Sequence, residues 1–240
     1  MALFIDGSKI SSSDISSTGQ FNKVMAHRQG CVLYLDSAQW SGSGNYTDLI
    51  NGITLTNESS VTASTYSSVS AFSFTSEGQR FTGTLGGTRP SKESTIEAWV
   101  WPASTQVNPS GDRGTIFLCT GNSGNYHSYH KSTNELSSYW YGHTPEGYHE
   151  GLGLTTDTWN YTAAIWDYRK STLTQYLNST CNIHSSIQGD SDCGANIVIG
   201  MESTTRQFTG GIAIIRYWNR ALSGPEIMFN YYAEKGRFGL

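Results

Sequence analysis

The densest run of chemically capable side chains lies between Asn125 and Glu150. It holds Tyr126, His127, Tyr129, His130, Tyr139, Trp140, Tyr141, His143, Tyr148 and His149. Aromatic rings with polar tips suit a sugar, offering apolar surface to stack on and hydrogen-bonding groups beside it. The same residues also suit packing, since alternate aromatics fill β-sandwiches and Tyr or His tips bond to nearby backbone. A metal reading of the histidines fails on spacing. His127 and His130 fall on opposite faces of a strand, and no carboxylate pattern accompanies them. The segment is therefore the candidate glycan face, with no metal and no cofactor expected.

Catalysis finds less support. Glycoside hydrolysis needs two carboxylates facing one bond. Glu97 is the best strand-borne acid, but positions 95 and 99 hold Thr and Trp. Glu97 reads as a polar residue on a solvated face or as a structural acceptor. A serine nucleophile has no Gly-x-Ser-x-Gly elbow to sit on. The chain is expected not to be an enzyme.

The elements that must position these residues are strands. Only 14% of the 240 residues are charged and the formal net charge is −4, with no Lys/Arg run. Nucleic acid is not an expected partner, because phosphate binding needs a concentrated basic surface. No apolar stretch is long enough for a membrane span, and Met1–Asp6 turns polar before a signal-peptide core can form. Localisation is accordingly expected to start in a cytoplasm. Four cysteines, Cys31, Cys119, Cys181 and Cys193, permit three pairings. A reducing compartment favours free, buried thiols, and the pair across a short polar loop, Cys181–Cys193, is the alternative. Acceptor motifs at Asn45, Asn57, Asn160 and Asn178 matter only on a eukaryotic secretory route.

Residues 1–30 read as an N-terminal arm or attachment segment: a short strand-like piece at Leu3–Ile5, then a Ser-rich polar stretch. From 31 to 240 short alternating segments recur between Gly/Asn/Ser/Thr turns, the pattern of an all-β sandwich. The strands expected are 31–36, 95–101, 115–119, 136–141, 159–166, 173–177, 196–199 and 211–218. In 95–101, Ile96, Ala98 and Val100 share one face and Glu97, Trp99 and Trp101 the other. Pro102 ends that strand, because proline cannot donate to a ladder. One helix is expected at about 223–235. Ser223-Gly-Pro-Glu226 is a capping box, and Leu222 with Ile227 forms a hydrophobic staple.

Three blocks carry a family resemblance: Ser94–Pro102, Thr156–Asp167 with Gln175–Asn178, and Phe208–Ser223 leading into the helix. In order and spacing the set resembles the laminin G-like, concanavalin A-like jelly roll of lectins, adhesion proteins and many virion proteins. The resemblance implies a two-sheet jelly roll over roughly 31–235. Family members often carry an acidic residue, in some a calcium ligand, where Ala213 stands; alanine cannot ligate a hard cation. The glucanases of this architecture carry Glu, Asp and Glu at alternate positions on one strand, and this chain has no such strand. The opening Gly30–Asp36 and closing Asn230–Leu240 resemble laminin G-like domains in structural proteins of tailed bacteriophages. That implies a virion protein, as a capsid decoration, fibre or tail appendage. Its partners would be other virion proteins, copies of itself and surface glycans. A secreted or surface lectin is the alternative reading, and a glycan hydrolase the remote one.

Overall fold

The alternating strand around Trp99 extends over Glu93–Pro102 and becomes a central strand of one of two antiparallel sheets. The structure is a computed structural model describing residues 3–5, 8–10, 29–86, 90, 92–107, 111–120, 124–140, 144–145, 147–189 and 193–240, the first two by backbone alone. Most of segment 1–30 lies outside the described residues.

In chain order, β1 (Leu3–Ile5) pairs with β2 (Ser8–Ile10) as a separate ribbon. There follow β3 (Cys31–Asp36), β4 (Tyr46–Thr47), β5 (Thr54–Glu58), β6 (Thr62–Tyr66), β7 (Val69–Phe74) and β8 (Arg80–Thr84). Next come β9 (Glu93–Pro102), β10 (Arg113–Thr120), β11 (Asn125–His130), β12 (Glu135–Trp140) and β13 (His149–Gly153). The chain closes with β14 (Asn160–Asp167), β15 (Thr172–Leu177), β16 (Thr180–Ser185), β17 (Asn196–Ile199), β18 (Gly210–Trp218) and helix α1 (Gly224–Glu234).

One sheet runs β16-β15-β14-β9-β18-β7-β6. Here β18 pairs with β7 through Gly210–Ile212 and with β3 through Ile214–Trp218. Its ladder to β9 shifts between Ile212 and Ile214, at buried Ala213. Gly210 starts β18 at φ 130°, and a Cβ there would fall on the Trp101 carbonyl oxygen, so only glycine fits. The other sheet runs β13-β12-β11-β10-β17-β8-β5-β4.

Between the sheets lies a core that includes Leu33, Phe72, Ile96, Phe117, Trp140 and Trp166. A second apolar layer covers the outside of the β9-bearing sheet. Trp99, Tyr161 and Trp218 pack there against Leu222, Ile227, Tyr231 and Phe238 from α1 and its flanks. Each such side chain contributes about 1.5–3 kcal/mol on burial. The capping box starts α1, with the Ser223 N–H donating to Glu226 Oε2 at 2.8 Å. Arg220 donates to both Glu226 oxygens, at 3.2 and 2.7 Å. Partial burial opposes ionisation of Glu226, but the Arg220 and Ser223 hydrogen bonds outweigh it and hold its pKa at about 2.

This arrangement corrects two expectations. The outward face of β9 is not solvated: Glu97 and Trp99 are both fully buried beneath α1. The cysteines also pair differently. Cys119 of β10 is bridged to Cys193, with a Cα–Cα distance of 6.0 Å. Cys181 sits exposed on edge strand β16 and Cys31 is buried, both free. Cys193 reaches its partner because β17 pairs with β10, which brings chain segments 74 residues apart together.

Candidate functional site

Each sheet has one face turned away from the core. The centre of one is covered by α1 and its flanks, whereas the outer face of the β10-bearing sheet has no helix over it among the described residues. The register of β11 against β12 decides what stands on it. Tyr126 is opposite Tyr139, Ser128 opposite Ser137 and His130 opposite Glu135, all outward. Asn125, His127 and Tyr129 alternate inward, opposite Trp140, Ser138 and Leu136.

Outward, three tyrosines meet. The Tyr126 and Tyr139 ring centroids are 5.6 Å apart, and Tyr148, entering β13, lies 5.1 Å from Tyr139. The Arg113 guanidinium stacks 3.7 Å above the Tyr148 ring, with Arg206 at 5.8 Å. The Tyr126 hydroxyl donates to Glu202 at 3.1 Å, and Arg206 donates to the same carboxylate at 2.8 Å. Burial raises the Tyr126 phenol, and the Glu202 charge adds to it, so the hydroxyl remains a donor. Burial also raises Tyr148, against the pull of Arg206 and Arg113. All three residues are half-buried. Such a platform suits stacking against sugar C–H surfaces, with guanidinium and carboxylate groups beside it for hydroxyls or acidic substituents.

Three of the residues expected on a glycan face are in the core instead. His127, Tyr129 and Trp140 have 0%, 1% and 1% of their surface exposed, because inward parity on β11 and β12 aims them between the sheets. His127 Nε2 lies 2.9 Å from the Thr162 hydroxyl, and burial holds its pKa at about 3, so the ring is neutral. His149 turns to the sheet edge, its ring 4.8 Å from that of His184. Tyr141 and His143 lie outside the described residues. The structure thus brings Tyr126, Tyr139, Tyr148 and His130 to the open face, and adds Arg113, Arg206, Glu150 and Glu202.

Sequence reasoning also missed a groove of about 850 Å³ farther along this face, lined by Thr54, Thr56, Thr82, Thr84, Asn196 and Arg80 among others. The signal for it was the paired Thr-x-Thr spacing in β5 and β8, which puts both hydroxyls of each pair on one face.

Glu97 is not a substrate-facing acid. The Tyr161 hydroxyl donates to its Oε1, and Asn230 Nδ2 donates to both of its oxygens at 3.1 Å. Arg216 lies 3.8 Å from Oε2.

A family profile described as the concanavalin A-like lectin/glucanases superfamily, laminin G type, matches residues 76–228. No curated protein matches the chain by sequence. Among solved structures, the receptor-binding domain of botulinum neurotoxin D superposes with TM-score 0.65 at 13% identity, over 85% of this chain and 53% of that one. The serotype D ligand-binding domain in complex with N-acetylneuraminic acid gives TM-score 0.65 at 14% identity, over 88% and 53%. Trypanosoma rangeli sialidase gives TM-score 0.61 at 15% identity, over 86% and 33%. The chain spans about half the length of these toxin domains and a third of the sialidase.

Proposed function

The chain belongs to the concanavalin A-like lectin/glucanase superfamily, and we propose that it is a non-catalytic module that binds glycans on the open face of its sandwich. One observation carries the reading. Of the two outward sheet faces, one has its centre covered by α1, and the other displays Tyr126, Tyr139 and Tyr148 with Arg113 and Arg206 beside them. The toxin domain that resembles this fold in complex with N-acetylneuraminic acid supports a glycan as the ligand class. Against catalysis stands the burial of Glu97, whose carboxylate is wholly engaged by protein groups.

A glycan array, followed by calorimetry on the best ligand, tests this. Wild type is expected to bind, and Tyr148→Ala to weaken binding at least tenfold, since one sugar-stacking ring and the Arg113 stack are lost together. Equal binding by Tyr148→Ala would place the ligand elsewhere. Release of reducing ends from the bound polymer would replace the module by an enzyme.

The setting we propose is the surface of a tailed-bacteriophage virion, reached from the host cytoplasm, with residues 1–30 or contacts between copies of this chain as the attachment. The similarity of Gly30–Asp36 and Asn230–Leu240 to phage structural proteins supports it. The arm would leave the domain beside α1. There the Gln29 carbonyl accepts from Arg220 Nε at 2.8 Å, and the Gly30 carbonyl from the Asn219 N–H at 2.8 Å. Deleting residues 1–28 keeps both of those bonds. Far-UV circular dichroism is expected to stay that of the sandwich while incorporation into particles is lost, because ordering a segment on a partner wraps a large surface. Full occupancy by the truncated protein would remove the role from the arm.

A further inference from the structure

We propose that His130, Glu135 and Glu150 form a binding site for a divalent transition metal of the zinc class, independent of whether the open face takes a glycan. Their ligand atoms all lie within 4.8 Å of one another. The fold brings them together from three adjacent strands. His130 ends β11 and Glu135 begins β12, as direct cross-strand partners. Glu150 comes from β13, whose ladder with β12 shifts between Leu136 and Ser138.

The Glu150 carboxylate is already oriented. Its Oε1 accepts from Arg113 at 2.9 Å and from the Ser137 hydroxyl at 3.0 Å, while Oε2 faces His130 Nδ1 at 3.2 Å. An ion would displace the His130–Glu150 contact, while the groups on Oε1 keep the carboxylate aimed at it, as neighbours of metal ligands do. A tetrahedral ion about 2.1 Å from each donor needs donors about 3.5 Å apart. Reaching that spacing from donors within 4.8 Å of one another would need a rotation of Glu135, whose side chain is half-exposed.

One imidazole with two carboxylates matches zinc and its neighbours in the first transition row. Calcium and magnesium prefer an all-oxygen shell. With His130 and Glu150 side chains 22% and 23% exposed, the remaining coordination positions open to water. Arg113 beside Glu150 places a fixed positive charge against the ion, which limits affinity without blocking the open side.

The hairpin spacing hides this set from the sequence. His130 and Glu135 are joined by a four-residue turn, 131–134, and Glu150 arrives through another loop. The carboxylates that a strand-by-strand reading does not find stand on neighbouring strands.

Zinc titration of the tag-free full chain, by competition against a chromophoric chelator, tests the site. One equivalent is expected to bind, and His130→Ala and Glu150→Gln each to weaken it at least tenfold, with unchanged thermal midpoints in the absence of zinc. His184→Ala, which removes a ring from the nearby His149–His184 pair, is expected to leave binding intact. Absence of binding in wild type, unchanged binding in His130→Ala and Glu150→Gln, or loss in His184→Ala alone would each overturn the assignment. Cobalt substitution supplies a second readout: its visible absorption should be present in wild type and in His184→Ala but absent in His130→Ala.

Discussion

Arg216→Met is expected to lower the unfolding free energy by about 3–5 kcal/mol, the cost of leaving buried charges without their partner. Arg216 sits on the outer face of β18 with 1% of its side chain exposed, and it serves two buried carboxylates. Its Nη2 donates to Glu234 Oε1 of α1 and its Nη1 to Glu234 Oε2 at 3.3 Å, with Glu97 of β9 3.8 Å away. The Trp99 indole N–H adds a bond to Glu234 at 2.7 Å, and the Tyr34 ring lies 4.9 Å from the guanidinium. Burial alone would push Arg216 down, but Glu234, Tyr34 and Glu97 outweigh it and raise its pKa, so the charge stays.

Burial pushes Glu97 up from 4.5 to about 7, against the pull of Arg216, Tyr161 and Asn230. A carboxyl whose pKa is higher in the fold than in the unfolded chain favours folding in its protonated form. Its contribution is full below about 4.5 and is lost as pH rises through about 7. Glu97→Gln should therefore flatten the stability profile between pH 5 and 8 while keeping partners for Tyr161 and Asn230. Combining Arg216→Met with Glu97→Gln and Glu234→Gln should recover much of the single variant's loss, because no charge is then stranded. Urea denaturation across this pH range reads both effects. A loss below about 1 kcal/mol for Arg216→Met would show the cluster behaving as an exposed pair does.

Glu97 also marks where the sequence stopped being informative. The alternation in Ser94–Pro102 separates Ile96, Ala98 and Val100 from Glu97, Trp99 and Trp101, and β9 has that parity. What covers the second face is decided by α1, whose Asn230, Tyr231 and Glu234 arrive more than 130 positions later. Strands with strong alternation or apolar runs, such as β3, β17 and β18, were legible for that reason, as was α1 from its capping box. β11 was not, because its inward residues Asn125, His127 and Tyr129 look no more apolar than its outward Tyr126 and Ser128. Edge strand β6, Thr62–Tyr66, buries none of its residues and so carries no hydrophobic pattern. The aromatic richness of 125–150 was visible, but its division into core and surface required register. Arg113, Arg206 and Glu202 join the tyrosines only through strand pairing and loop placement.

Phe238→Ala is expected to cost about 3–5 kcal/mol, as large-to-small changes at buried aromatics do. In the fold the Phe238 ring lies parallel to Trp99 at 3.8 Å between centroids, 5.0 Å from Trp159, and is 5% exposed. Arg237 beside it donates to both oxygens of buried Asp36, at 2.9 Å each, tying the chain end to β3. Truncating the ring leaves a void against two tryptophans and uncovers the layer that α1 closes, so both transfer and cavity terms apply. Leu240, two residues on, is 44% exposed and provides the control, since Leu240→Ala should change stability by no more than about 0.5 kcal/mol. Chemical denaturation of the two variants separates a packed C-terminus from a free tail. Equal, small losses would mean that the chain end does not close the apolar face, and α1 alone would then have to hold that layer.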